Sequence, residues 1–158
     1  MEERLRVLFL CTGNSCRSQM AEGWTRHLKA DRVEPYSAGV DPGTLDPRAV
    51  AVMKEAGVDI SGHISKPLSE VVHVPLDFVV TVCDHAHESC PIFPGRTTVV
   101  HRGFDDPPRL AVTASSGDEA LGHYRRVRDE IRAFVEELPQ SLGVGTDPGS
   151  GIEEESTA

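Results

Sequence analysis

A short apolar run, LRVLFL over residues 5–10, passes without a linker into Cys11-Thr12-Gly13-Asn14-Ser15-Cys16-Arg17-Ser18. A run this short and this apolar reads as a buried strand, and the turn residues behind it end the strand. From Arg17 onward, Met20, Ala21, Trp24 and Leu28 recur at helical spacing, so a helix begins where the turn stops. A buried strand feeding a helix through a tight loop is the unit of parallel sheets, whose strands need cover on both faces. Ligands of such sheets sit at the carboxyl ends of the strands, where loops enter helices, and residues 11–18 lie at such an end.

The rest of the chain continues the alternation. Tyr36-Ser37-Ala38-Gly39 closes a second strand. Asp46-Pro47 supplies an N-cap and a proline at the first position of a helix that carries Val50 and Met53 and stops at Gly57. Residues 76–82 (LDFVVTV) are the strongest strand signal after the first, and residues 97–101 a weaker one. Ser116 and Glu119 form a capping box for the last helix, whose apolar stripe is Leu121, Tyr124, Val127, Ile131, Phe134 and Leu138, with Pro139 behind it. Strands alternating with helices imply a parallel sheet with right-handed crossovers. Residues 1–138 are therefore read as one domain. Residues 139–158, rich in Gly, Ser and Glu with almost nothing to bury, are expected to be a disordered acidic tail.

Composition narrows the partners. The 158 residues suffice for a single core, and 39% hydrophobic with 26% charged content is ordinary for a soluble globular protein. No apolar run approaches the roughly 18 residues of a membrane span, and the N-terminus carries no signal-peptide pattern, so a cytoplasmic protein away from membranes is expected. A formal charge of −9 argues against binding nucleic acid or anionic lipid. Such a chain binds an anion only through a local device. Four cysteines in a reducing compartment suggest catalytic or transient disulfides rather than a structural framework.

Residues 11–18 have the makings of that device. A helix N-terminus presents unpaired N–H groups and partial positive charge to an oxyanion. Gly13 and Asn14 tolerate the left-handed angles that turn successive N–H groups into a nest, with Thr12, Ser15 and Cys16 completing the loop. Arg17 forks onto two oxyanion oxygens. Cys11 begins the loop, where the same dipoles stabilise its thiolate, and Ser18 is placed to donate to that sulfur. The blander reading makes Cys11 a small buried hydrophobe that ends a strand. Strand before, helix after and turn residues between favour the anion loop. The Cys16 side chain is read as packing rather than catalysis.

Cys83 ends the LDFVVTV strand and so lies near the same sheet edge as Cys11, and Cys90 follows seven residues later. A regular helix between Cys83 and Cys90 would hold their Cα atoms about 10.5 Å apart. A disulfide tolerates about 7 Å, so a Cys83–Cys90 bond requires the segment to unwind. Only Ala86 among residues 84–89 is apolar, which suggests little buried surface to oppose unwinding. A competing reading takes Cys83, His85, His87 and Cys90 as zinc ligands, although the spacing is not a common zinc pattern; otherwise the two histidines are exposed loop residues.

CTGNSCRSQMAEGW, with YSAG, LDFVVTVC and GFDDP, resembles the arsenate reductases built on the low-molecular-weight tyrosine phosphatase fold, in their thioredoxin-coupled branch. The resemblance covers roughly residues 5 to 138. It implies an α/β fold with a four-stranded parallel sheet in flavodoxin-like order, flanked by helices. It also implies a sequence of events. Cys11 forms a covalent arsenic adduct, Cys83 attacks Cys11 to release arsenite, and Cys90 attacks Cys83 and carries the disulfide out to thioredoxin. By the same resemblance Asp106, directly before Pro107, is the general acid and Asp105 is structural; the alternative is an Asx turn in which both aspartates merely cap the chain.

The sequence departs from the family in two places. The phosphatase branch usually carries an aromatic residue where this chain has Pro108, which removes one reason to expect a phosphotyrosine substrate. Relatives often bind potassium beside the loop; Asn14, Glu22 and Ser37 are present, but Ile64 and Lys66 stand where a threonine/aspartate pair is expected. A lysine ammonium replaces such a cation electrostatically, so no potassium requirement is expected. The leading expectation is an arsenate-reducing monomer with no cofactor and no metal, for which phosphate and sulfate compete with arsenate. A tyrosine-type phosphatase, needing only Cys11, Arg17 and Asp106, is the second reading, and a zinc-stabilised or redox-sensing module the third.

Overall fold

The computed structural model describes residues 4–93 and 95–143. Strand β1 (Leu5–Cys11) lies between β2 (Val33–Gly39) and β3 (Phe78–Thr81), and β4 (Thr98–His101) pairs with β3 at the far edge. Every pairing is parallel, giving the order β2-β1-β3-β4 that the family resemblance implies. Val7, Phe9, Leu8 and Leu10 of β1 are wholly inaccessible, as a central strand covered on both faces requires. Pro35, which has no N–H to give a ladder, is tolerated because β2 is an edge strand.

Among the described residues the helices are α1 (Arg17–Leu28), α2 (Pro47–Glu55), α3 (Asp84–Glu88), α4 (Pro107–Val112) and α5 (Gly117–Glu136). The caps read from the sequence form. The Asp46 carboxylate accepts from the Arg48 N–H, Gly57 turns the chain at φ +89°, and the Ser116 hydroxyl accepts from the Glu119 N–H. The return arm of the box differs, since the Glu119 carboxylate takes the Ser115 N–H at 3.2 Å. α5 packs against α1, where Trp24, 1% exposed, donates its indole N–H to the Arg128 carbonyl at 3.1 Å. Removing such a buried side chain typically costs about 3–5 kcal/mol.

Two expectations about extent need correction, and two short helices are added. The strand expected over residues 76–82 is limited to Phe78–Thr81, because at Asp77 the side chain also pairs with β1: its carboxylate accepts the Arg6 N–H at 2.8 Å. The two short helices α3 and α4 lack the periodic stripe that marks longer ones. Residues 139–143 are packed chain rather than tail: Gln140–Leu142 form a 3-10 turn, Leu142 is 2% exposed, and Gly143 ends the turn at φ +88°. The remainder of the expected tail, residues 144–158, lies outside the described residues.

Candidate active site

The loop after β1 is held from outside by its carbonyls. The Cys11, Thr12, Gly13 and Ser15 carbonyls accept from the N–H groups of Val40, Asp41, Gly43 and Asp46, and the Asn14 carbonyl accepts from Gln19 and Ser65. In a planar peptide the N–H points opposite to the C=O, so carbonyls turned outward leave the N–H groups facing the enclosed space. Of the two residues expected to be left-handed only Asn14 is, at φ +50°; Gly13 is not. The glycine the loop cannot do without is Gly39, at the end of β2. A Cβ there would stand 2.6 Å from the Thr12 carbonyl oxygen and 2.9 Å from the Asn14 nitrogen.

A buried chain of hydrogen bonds ends on Cys11. The Asn14 amide donates to the Ser18 hydroxyl at 2.8 Å, and Ser18 Oγ lies 2.9 Å from Cys11 Sγ. A Cys11 thiolate can only accept, so in that form the Ser18 hydroxyl donates to the sulfur while accepting from Asn14. Asn14 is itself oriented, because its Oδ1 accepts from Gln19 at 3.0 Å and from the Lys66 N–H at 2.9 Å. Gln19 Oε1 in turn faces His63 Nδ1 at 2.8 Å, and burial pushes the His63 imidazole below its ordinary range. Cys16 is 3% exposed, and burial, reinforced by Asp46, holds its thiol well above the usual range, in keeping with a packing role.

Arg17 spans the gap to the loop after β4. Its Nη1 donates to the Phe104 carbonyl at 2.9 Å, and Nη2 lies 3.6 Å from Asp106 Oδ1. Asp106 sits at the N-cap of α4 without using its side chain as a cap, so its carboxyl stays available. Asp105 pairs with Arg126 at 3.1 Å and is more exposed than Asp106. A cavity of about 260 Å³ is lined by Cys11, Gly13, Ser15 and Pro108, and one of about 440 Å³ by Cys83, His85, Phe104 and Arg109; Thr12, Arg17 and Asp106 line both. Cys11 and Cys83 thus open onto neighbouring spaces that share three walls.

Cys83 is the N-cap of α3. Its sulfur accepts from the Ala86 N–H at 3.4 Å and lies 3.3 Å from the Thr12 hydroxyl. Cys90, beyond the helix, is half-buried, and burial pushes its thiol up, so it ionises more readily once the segment opens. All four cysteines are free thiols. The segment between Cys83 and Cys90 is better anchored than its composition suggests. Ala86 is fully buried, and His87, expected to be an exposed loop residue, stacks on His101 with ring centroids 4.4 Å apart. His85 is exposed. Among the described residues no three His, Cys, Asp or Glu side chains are grouped to hold a metal ion, so the zinc reading finds no site there.

Lys66 fills the position foreseen for a cation. Its ammonium lies 3.1 Å from the Ile64 carbonyl, 3.4 Å from Ser37 Oγ and 3.9 Å from Glu22 Oε1, while Ser37 donates to Glu22 at 2.5 Å. The donor set that would suit potassium is already neutralised, so the residues present do not fit a bound ion.

The model of the low molecular weight phosphotyrosine protein phosphatase family matches residues 6–147. The chain belongs to that family. Within it, the chain is 43% identical over 141 residues to an arsenate reductase of Bacillus subtilis, covering 89% of this chain and 99% of that one. An arsenate reductase of Halalkalibacterium halodurans is 46% identical over 125 residues, covering 79% and 88%. Among solved structures, an arsenate reductase in the reduced state superposes with TM-score 0.66 at 31% identity, covering 87% of this chain and 98% of that one. A thioredoxin-dependent arsenate reductase of Corynebacterium glutamicum superposes with TM-score 0.64 at 27% identity, covering 90% and 63%. An arginine phosphatase, at 23% identity and TM-score 0.68, shares the fold. Among the described residues of this family member, no helix is long and apolar enough to cross a membrane.

What the sequence did not single out are the residues behind the loop: Gln19, His63 and Gly39. None carries a local signal. Gln19 reads as an ordinary position of a helix, and its importance lies in facing three acceptors, the Asn14 carbonyl, Asn14 Oδ1 and the Ile64 carbonyl.

Proposed function

We propose that this chain reduces arsenate to arsenite, with Cys11 as nucleophile and Cys83 and Cys90 as a relay reduced by thioredoxin. The observation that carries this reading is the second thiol. A phosphatase needs Cys11, Arg17 and Asp106 alone, whereas here Cys83 opens beside them, on the cavity that Thr12, Arg17 and Asp106 also line. The close arsenate reductase relatives support the same substrate.

In the first step the Cys11 thiolate attacks arsenic, with the oxyanion held by the loop N–H groups and by Arg17, and Asp106 protonates an arsenate oxygen that departs as water. The Cys83 thiolate then attacks Cys11 Sγ. A Cys11–Cys83 bond forms, the sulfur–arsenic bond breaks, and its electron pair leaves with arsenic as arsenite; the two thiols are oxidised and arsenic is reduced. Cys90 next attacks Cys83 Sγ, which frees the Cys11 thiolate and leaves a Cys83–Cys90 disulfide for an external dithiol. The Thr12 hydroxyl and the Ala86 N–H, 3.3 and 3.4 Å from Cys83 Sγ, hold that sulfur in place for the attack. Lys66 serves as a tethered cation, so the reaction needs no potassium. The chain acts as a cytoplasmic monomer.

The test is arsenate-dependent NADPH consumption with thioredoxin and thioredoxin reductase. Cys83→Ser and Cys90→Ser should each stop multiple turnover while hydrolysis of a small aryl phosphate persists, and Cys11→Ser should abolish both. Sustained arsenate turnover in Cys83→Ser and Cys90→Ser would remove the relay and leave the phosphatase chemistry as the better account.

A further inference from the structure

The relay requires α3 to leave its docked position, and one residue holds that helix at both ends. His101, the last residue of β4, places Nε2 3.1 Å from Asp84 Oδ1 in the first turn of α3. Its ring stacks on His87 in the last turn, with centroids 4.4 Å apart and planes 27° from parallel. Nδ1 lies 2.8 Å from the Thr81 hydroxyl and 3.1 Å from the Thr81 carbonyl, which ties the ring to β3. The Thr81 hydroxyl also lies 3.2 Å from His87 Nδ1.

Proton positions follow from the partners. A carbonyl only accepts, so the His101 Nδ1 proton is directed to Thr81, and Nε2 faces the Asp84 carboxylate. The Thr81 hydroxyl, accepting from His101, has its own proton free for His87 Nδ1. Thr81 is completely buried, so this arrangement has a fixed base.

We propose that His101 is a positioning residue of the relay: through Asp84 and His87 it clamps α3 in the dithiol form and so sets how readily the Cys83–Cys90 disulfide closes. The proposal rests on the relay reading. With the clamp closed, a helical segment separates the two thiols. A helix that unwinds carries Asp84 and His87 away from His101, so the clamp exists on the dithiol side of the equilibrium and is lost on the disulfide side. The contacts are worth opposing, because the helix has only Ala86 buried in the core beside them.

The experiment equilibrates full-length Cys11→Ser protein with glutathione redox buffers and quantifies the Cys83–Cys90 disulfide with and without His101→Leu. Loss of the stack and the polar contacts should shift the equilibrium about three- to thirtyfold toward the disulfide. Asp84→Ala removes an exposed partner that the fold does not need, and should shift it in the same direction by less than about fivefold. Asp84→Asn, whose amide still donates to a neutral Nε2, should restore most of that loss. Combining Asp84→Ala with His101→Leu should add little to His101→Leu alone, since both break one contact. A residue of merely structural importance destabilises dithiol and disulfide forms alike and leaves this equilibrium unmoved. An unmoved equilibrium, or fully additive variants, overturns the role of His101 while the relay stands. A parent protein that forms no Cys83–Cys90 disulfide overturns the relay itself and the clamp with it.

Discussion

Replacing Ser18 with alanine isolates the chain of bonds that ends on Cys11. In the intact protein the Ser18 hydroxyl lies 2.9 Å from Cys11 Sγ and accepts from Asn14 at 2.8 Å, so it is placed to donate its proton to a Cys11 thiolate. A hydrogen bond to a charged group contributes about 1.5–3 kcal/mol, and about 1.4 kcal/mol is a factor of ten in an equilibrium. Ser18→Ala should therefore slow the reaction of the Cys11 sulfur with an electrophile by about ten- to hundredfold. It also leaves the buried Asn14 amide short of an acceptor, which costs about 1–3 kcal/mol of stability. The assay is the rate of iodoacetamide alkylation in a Cys83→Ser, Cys90→Ser background. Cys16 does not compete there, because burial keeps its thiol well above the usual range. The denaturation midpoint is measured on the same protein. An alkylation rate unchanged by Ser18→Ala would refute the assignment of the Ser18 proton to the thiolate, and with it the purpose given to Asn14 and Gln19.

Asp106→Asn should slow the first chemical step by about 10² to 10⁴, the range for losing a general acid. Asp105→Asn loses only an exposed pair with Arg126, worth about 0–1 kcal/mol, and the opposite ranking in single-turnover kinetics would show that the aspartates had been assigned the wrong way round. Exchanging potassium for sodium at constant ionic strength should leave turnover unchanged, while Lys66→Thr, which removes the tethered ammonium, should make it depend on the cation supplied; a potassium-stimulated parent enzyme contradicts this. Burial lowers the His63 imidazole, so as pH falls through the ordinary histidine range, about 6.5, the unfolded chain takes up the proton first and the folded state loses stability. His63→Gln, which keeps a donor for Gln19, should reduce that acid loss when urea midpoints at about pH 7.5 and 5.5 are compared; parallel losses in both proteins count against it.

What could be read from the chain alone was whatever depends on neighbours a few residues apart. The apolar run before Cys11, the Asp46-Pro47 start, the Ser116 cap and the stop at Gly57 are local backbone preferences, and each appears where it was expected. Cys11, Arg17 and Ser18 were legible for the same reason, because one strand end and one helix start place all three on a single loop. Tertiary structure alone decided the rest. Arg17 meets the Phe104 carbonyl across 87 residues of sequence, Gln19 meets His63 across 44, and His101 reaches Asp84 across 17. Leu142 was assigned to a tail because its surroundings are polar in sequence, yet in three dimensions it is buried. Periodicity reports which face of an element is apolar. It carries no information on which polar atom of one element will find a donor on another, since that depends on how the sheet brings the loops together, and at this site those long-range polar pairings surround Cys11 and α3.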